Sequence, residues 1–206
     1  MTFRAADGRT LAAYIAEADA RPAPAVVLVP MLGRSKDDWQ GEAERLAESN
    51  ITALAIDLPA LSLPADAKEL AGWTRDIQAA VAYLASRPDV RASAIGVAGA
   101  SLGANLAAAA AAGNPQIRSI ALISPSLDYR GLRIEGAMRQ LGDRPALLVA
   151  SLQDPYAARS VRELAKGGPG LREMRWSETP AHGTGLLSRE PDLVRALVEW
   201  FQRTLG

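Results

Sequence analysis

Ala94-Ile95-Gly96-Val97-Ala98-Gly99-Ala100-Ser101-Leu102-Gly103-Ala104-Asn105-Leu106 passes from an apolar segment, through Gly-x-Ser-x-Gly at 99–103, into an alanine-dominated run that reaches Ala112. Ala94 to Ala98 predicts a strand covered on both faces, and Leu102 to Ala112 predicts a helix. A chain that turns from strand to helix within a few residues crowds its own backbone. Glycine at 99 and 103 removes the side chains that would collide. Such a turn lifts the Ser101 hydroxyl to the carboxyl end of the strand and places the positive end of the helix dipole beside it. Ser101 is the candidate nucleophile.

The same strand-to-helix rhythm extends in both directions. Upstream, Thr2 to Ala6 and Thr10 to Ala16 flank Asp7-Gly8, a pair suited to a tight hairpin turn. The proline-rich joint at 21–24 leads into a first central strand, Ala25 to Val29, closed by Pro30. Helix Asp37 to Ser49, strand Thr52 to Ile56 and helix Ala67 to Ser86 fill the interval before the quoted segment. Downstream come strand Ser119 to Ile123, helix Arg133 to Leu141, strand Ala146 to Ser151 and helix Ala157 to Ala165. Strand Arg172 to Trp176 and helix Pro191 to Arg203 complete the alternation. The pattern predicts one α/β domain over 1–206, a mostly parallel sheet of about seven to eight strands with helices on both faces. In such sheets ligands sit outside the carboxyl ends of the strands, so the loops that follow strands hold the chemistry.

Composition narrows that chemistry. The 206 residues carry 23 basic and 23 acidic side chains, no cysteine and one histidine. Balanced charge gives no reason to expect nucleic acid or an anionic membrane, and the partner is expected to be a small molecule. Disulfides and Cys/His zinc sites lack ligands, so no metal is expected, and no cofactor. Neither a Gly-x-Gly-x-x-Gly nor a P-loop occurs, which removes the nucleotide-binding readings of the same alternation. The charged start at 1–9 is unlike a signal peptide and no apolar run is long enough to span a bilayer, so cytoplasmic residence is the default expectation.

A serine hydroxyl needs a base, and His182 is the single histidine, in the loop between the last strand and the last helix. A carboxylate must then orient it, from a strand end between the two. Asp154 follows the strand Ala146 to Ser151. Asp154-Pro155 also reads as a helix N-cap followed by proline at the first helical position, and one residue can fill both roles. Asp128, in Ser124-Pro125-Ser126-Leu127-Asp128 after the preceding strand, is the competitor.

The order Ser101, Asp154, His182 on this alternation resembles the α/β-hydrolase family, and within it the small cap-less serine esterases and dienelactone hydrolase-like proteins. The resemblance covers nearly the whole chain and is strongest at Gly99 to Gly103. The family usually places His-Gly after its first central strand and draws an oxyanion-hole N–H from the residue beyond. Pro30-Met31-Leu32-Gly33 stands there in this chain. By position the resemblance implies Leu32 and Leu102 as oxyanion donors, with Met31 a substitute for Leu32. It implies hydrolysis of small carboxylic esters through an acyl-serine. A thioesterase or peptidase would use the same three residues, whereas a non-catalytic binding protein of this fold is expected to lack one. Dienelactone hydrolase proper uses a cysteine, which this chain lacks.

The remaining features read as structure. Asn105 is expected to face loops rather than substrate, and Trp39 to be core rather than acyl pocket. Trp73 and Trp200 fit helix faces. Arg172 to Arg175 reads as an edge strand with solvated charges. The stretch from Ser126 to Asp143 is too short for a cap domain, so the site is expected to be open, closed at most by a short helix.

Overall fold

The computed structural model describes residues 1–5, 7–58 and 67–206. Ala6, the end of the expected first strand, lies outside them. The strands are β1 (Thr2–Arg4), β2 (Thr10–Ala16), β3 (Ala23–Val29), β4 (Thr52–Ile56), β5 (Val90–Ala100), β6 (Ile117–Ile123), β7 (Asp128–Tyr129), β8 (Leu132–Arg133), β9 (Ala146–Ser151) and β10 (Arg172–Ser177). The helices are α1 (Gln40–Glu48), α2 (Ala67–Ser86), α3 (Leu102–Gly113), α4 (Glu135–Gln140), α5 (Pro155–Leu164), α6 (Thr184–Leu187) and α7 (Pro191–Leu205). Eight strands form one sheet in the order β1-β2-β4-β3-β5-β6-β9-β10. The β1–β2 and β2–β4 pairs are antiparallel, and all pairs from β4 to β10 are parallel.

Two apolar cores sandwich this sheet, which is why its central strands are uninterrupted runs of apolar residues. Ala25, Val27 and Val29 of β3 join α2 to α5 in one core, while Val26 and Leu28 join α1, α6 and α7 in the other. Strand β9 splits the same way, Leu148 and Ala150 against Leu147 and Val149. The tryptophans belong to these cores. Trp39 is fully buried and its indole N–H donates to the Val29 carbonyl at 3.0 Å, as befits a core residue rather than an acyl-pocket wall. Trp200 is equally buried and donates to the Ile120 carbonyl at 3.1 Å.

The structure departs from the sequence reading in several places. The expected helix Asp37–Ser49 is a 3-10 turn over Lys36–Trp39 followed by α1. Strand β5 extends to Ala100, so it delivers Ser101 directly. The β7–β8 hairpin and α6 were not expected. Tyr129 pairs with Leu132 across a two-residue turn in which Arg130 and Gly131 both have positive φ, +47° and +90°. At the sheet edge Arg172 is not solvated as expected. Its guanidinium donates to the carbonyls of Gly167 and Arg144, both at 2.8 Å, and burial pushes its pKa down. Among the described residues no helix is long and apolar enough to cross a membrane.

Helix α7 docks on the sheet through Phe201, which lies against Gly96 of β5. A Cβ at Gly96 would sit 2.7 Å from the Phe201 ring and 3.1 Å from the Ser119 carbonyl oxygen. Phe201 is itself fully buried and has nowhere to retreat. Gly96→Ala is expected to cost about 1–3 kcal/mol by overpacking, a fall of several degrees in Tm for a chain of this size. Gly41→Ala in α1, where an added Cβ meets nothing within 4 Å, should leave Tm unchanged or slightly raised. Thermal unfolding followed by circular dichroism checks both.

Candidate active site

Ser101 sits at the junction of β5 and α3 with φ +53° and ψ −118°, a conformation seldom adopted by residues with a side chain. Its N–H donates to the Ile123 carbonyl of β6 at 2.8 Å, and its carbonyl accepts from the Ala104 N–H at 3.0 Å. The flanking glycines leave no alternative. A Cβ on Gly99 would fall 2.2 Å from the Gly103 carbonyl oxygen, and one on Gly103 would fall 2.4 Å from the Pro30 carbonyl oxygen. The elbow is thus packed backbone to backbone, both on itself and on the end of β3.

The structure brings Ser101, His182 and Asp154 together. Ser101 Oγ lies 2.8 Å from His182 Nε2, and His182 Nδ1 lies 2.6 Å from Asp154 Oδ2. In the neutral imidazole with its proton on Nδ1, that N–H donates to the carboxylate and Nε2 accepts from the serine hydroxyl. Asp154 makes two contacts at once. Its Oδ1 caps α5 by accepting from the Ala157 N–H at 3.1 Å while Oδ2 serves the histidine. The competitor Asp128 is committed elsewhere. Its Oδ2 accepts from Arg133 Nε at 2.9 Å and its Oδ1 from the Gly131 N–H at 2.6 Å, so it holds the β7–β8 hairpin. Those two contacts, Arg133 first, hold its carboxyl below the ordinary value. The histidine side chain is 49% exposed and that of Asp154 is 23% exposed, so the cluster opens to solvent.

Sequence reasoning missed the residues that hold the histidine loop. Three serines at neighbouring strand ends anchor it. Ser151 Oγ donates to the Thr179 carbonyl at 2.6 Å, Ser177 Oγ accepts from the Thr179 N–H at 2.9 Å, and Ser124 Oγ accepts from the Gly183 N–H at 2.9 Å. The signal was present in principle, since a serine closes or directly follows β6, β9 and β10 where each strand would otherwise end in an apolar residue. Ser177 also donates to Glu190, just before α7. The Ser177 hydroxyl, with Thr179, holds the Glu190 carboxyl below its ordinary value of 4.5.

Leu102 follows Ser101 and opens α3, so its N–H is among those a helix leaves without an intrahelical acceptor. Met31 and Leu32 follow β3, whose last carbonyls press on the elbow at Gly103. They belong to a turn closed by the Arg34 N–H donating to the Met31 carbonyl at 3.2 Å, with Gly33 at φ +71°. The Leu32 side chain packs into the α2–α5 core, and Met31 packs against the opposite one. Asn105 faces loops, as expected. Its amide donates to the Ser126 carbonyl at 2.9 Å and its Oδ1 accepts from the Ser126 N–H at 3.0 Å, tying the segment before β7 to α3.

The fold has known counterparts. Residues 26–205 match the alpha/beta hydrolase family, and the chain belongs to it. No curated protein matches in sequence. Among solved structures, the alpha/beta hydrolase GrgF from Penicillium sp. sh18 superposes with a TM-score of 0.84 at 15% identity, covering 100% of this chain and 98% of that one. Dienelactone hydrolase from Anabaena variabilis gives 0.84 at 18% identity, covering 100% of this chain and 97% of that one. The thermostable carboxylesterase EstE1, from a metagenomic library, gives 0.78 at 19% identity, covering 100% and 88%. The architecture is the alpha/beta hydrolase fold, and the described residues form no cap domain.

The Ser177–Glu190 contact makes a pH-dependent prediction. A carboxyl whose pKa is depressed in the folded state adds stability above its unfolded value and loses it as pH falls through the folded one. Ser177→Ala removes the contact. The gap in urea midpoint between wild type and Ser177→Ala should be widest above about pH 5 and should narrow below the ordinary value of 4.5. It should not close, because the Thr179 N–H loses its acceptor at every pH.

Proposed function

We propose that the protein is a serine hydrolase that cleaves small carboxylic esters through an acyl-Ser101 intermediate. The observation that carries this reading is the continuous contact from Ser101 Oγ through His182 to Asp154, at 2.8 and 2.6 Å, assembled from residues 81 and 28 positions apart. Idle polar side chains have no reason to converge at a strained elbow.

Ser101 Oγ attacks the ester carbonyl carbon as its proton passes to His182 Nε2. The carbonyl π pair moves onto oxygen, and the resulting oxyanion is held by the Leu102 N–H and by the N–H of Leu32 or Met31. Collapse expels the alcohol, which takes the proton from Nε2 and leaves Ser101 acylated. Water then repeats the sequence, its proton passing to His182 and returning to Ser101 as the acid departs. Asp154 keeps the Nδ1 proton in place and stabilises the imidazolium formed in each half-reaction. No step needs a metal or cofactor. A thioester or amide would engage the same atoms, and a panel of p-nitrophenyl esters, thioesters and anilides of rising acyl length ranks them.

Three outcomes test the assignment. Wild-type protein should react with a fluorophosphonate probe, whereas Ser101→Ala should not label and should lose a factor on the order of 10⁴ or more in kcat with its fold intact. Asp154→Asn should cost roughly 10³ to 10⁴ in kcat, and Asp128→Asn far less. Because the chain has one histidine and no cysteine, kcat/KM should fall along a single acid limb, about tenfold per pH unit. Full labelling of Ser101→Ala, the reverse ranking of the aspartates, or an acid limb of slope two would each overturn its part.

A further inference from the structure

We propose that Ser124 is a positioning residue for His182, a role that rests on reading Ser101 and His182 as nucleophile and base. Strand β6 lies in the sheet between β5, which carries Ser101, and β9, which leads to Asp154. Its end bonds to Ser101, to the strand that leads to Asp154 and to the loop of His182. The Ile123 carbonyl accepts from the Ser101 N–H at 2.8 Å, and the Ser124 N–H donates to the Val149 carbonyl of β9 at 2.7 Å. The Ser124 hydroxyl accepts from the N–H of Gly183, the residue after His182, at 2.9 Å. Two consecutive residues thereby link the nucleophile's backbone, the strand of the acid and the loop of the base.

The backbone of Ser124 argues that its hydroxyl is required. Its φ is +50°, in the left-handed region where glycine is least strained. Only four described residues with side chains have positive φ, and two of them, Ser101 and Ser124, lie in this cluster. A glycine at 124 would relieve the backbone but would supply no acceptor. Ser124 is 2% exposed, so without its hydroxyl the Gly183 N–H would be left without a partner away from water. Gly183 cannot slide freely to find another. Its own φ is +58°, and Met31 Sδ packs so near its α-carbon that a Cβ there would fall 2.0 Å from it, so Gly183 lies between that thioether and the serine. Losing one side of the clamp displaces the imidazole, and the reacting geometry tolerates little displacement.

Ser124→Gly separates a positioning role from a merely structural one, because it removes backbone strain together with the hydroxyl. Expected are a Tm close to wild type, kcat lowered roughly ten- to a hundredfold, and KM little changed. The single histidine supplies a readout independent of turnover. In the wild type, the Nδ1 proton shared with Asp154 should give one downfield imidazole NMR signal, and in Ser124→Gly that signal should broaden or vanish through exchange with water. Ser124→Ala should show the same spectrum and, lacking the backbone relief, a lower Tm. An unchanged imidazole signal together with kcat within twofold of wild type would overturn the inference. If the wild type fails to react with the fluorophosphonate, the catalytic reading falls instead, and the imidazole spectra still decide whether Ser124 holds the histidine.

Discussion

The backbone contact at the elbow constrains everything around it. With Gly99 packed on the carbonyl of Gly103, and Gly103 packed on the carbonyls of Val29 and Pro30, the relative positions of β3, β5 and α3 are set by atoms that have no rotamers. Side chains can repack around a perturbation, whereas main-chain atoms in direct contact cannot. The Ser101 conformation is the consequence. A non-glycine residue at φ +53° costs on the order of 1–3 kcal/mol, and the surrounding contacts impose it. The Ser101 hydroxyl sits at the N-terminus of α3, whose first N–H groups have no intrahelical acceptor.

A rigidly held Ser101 can act as proposed only if His182 arrives at a matching point, and His182 sits on a loop. The sheet order supplies the solution. Strands β5, β6, β9 and β10 lie side by side, so their carboxyl ends form a row from which hydroxyls reach the same loop. Ser124, Ser151 and Ser177 each satisfy a backbone group between Thr179 and Gly183. Because these serines are nearly buried, the bonds compete with little water, and each unmade one would leave an unsatisfied group.

Most of this architecture was legible in the sequence, because the signals were local or periodic. Strands β4 and β9 and helix α2 occupy the residues the pattern assigned, since unbroken apolar runs and amphipathic spacing report burial directly. The elbow at Ser101 was legible because its steric demand writes glycine into the sequence twice, and His182 stood out as the candidate base because the chain has no other histidine. What the sequence hid depended on distance. Asp128 and Asp154 were equally placed after strands, and only the proximity of Arg133 to one and His182 to the other separates them. Strands β7 and β8, two residues each, are too short for periodicity, although Arg130-Gly131 marks their turn. The serine anchors were invisible for a similar reason, since a serine at a strand end is common and its partner lies up to 59 residues away. Arg172 misled because a charged edge strand usually meets water, and here loop carbonyls surround it instead.

The openness of the cluster decides which physical effect it can exploit. Burial strengthens electrostatic interactions by excluding water, but a histidine side chain that is 49% exposed gains little of this. The insert between β6 and β9 carries only a four-residue ladder and the six-residue α4, too little to cover the site. What remains is geometry, the advantage of holding reacting groups where they are needed before the reaction starts. Asp154 illustrates the economy of that strategy. By capping α5 with one oxygen it fixes its own carboxylate plane, so the other oxygen meets Nδ1 without further freezing of a free side chain. Ser101 is fixed by main-chain contact, Asp154 by a helix cap and the loop of His182 by serine hydroxyls, each constraint imposed by an element the fold requires anyway. On the proposed reading, the rate such an exposed site can reach is set by how little those three move relative to one another.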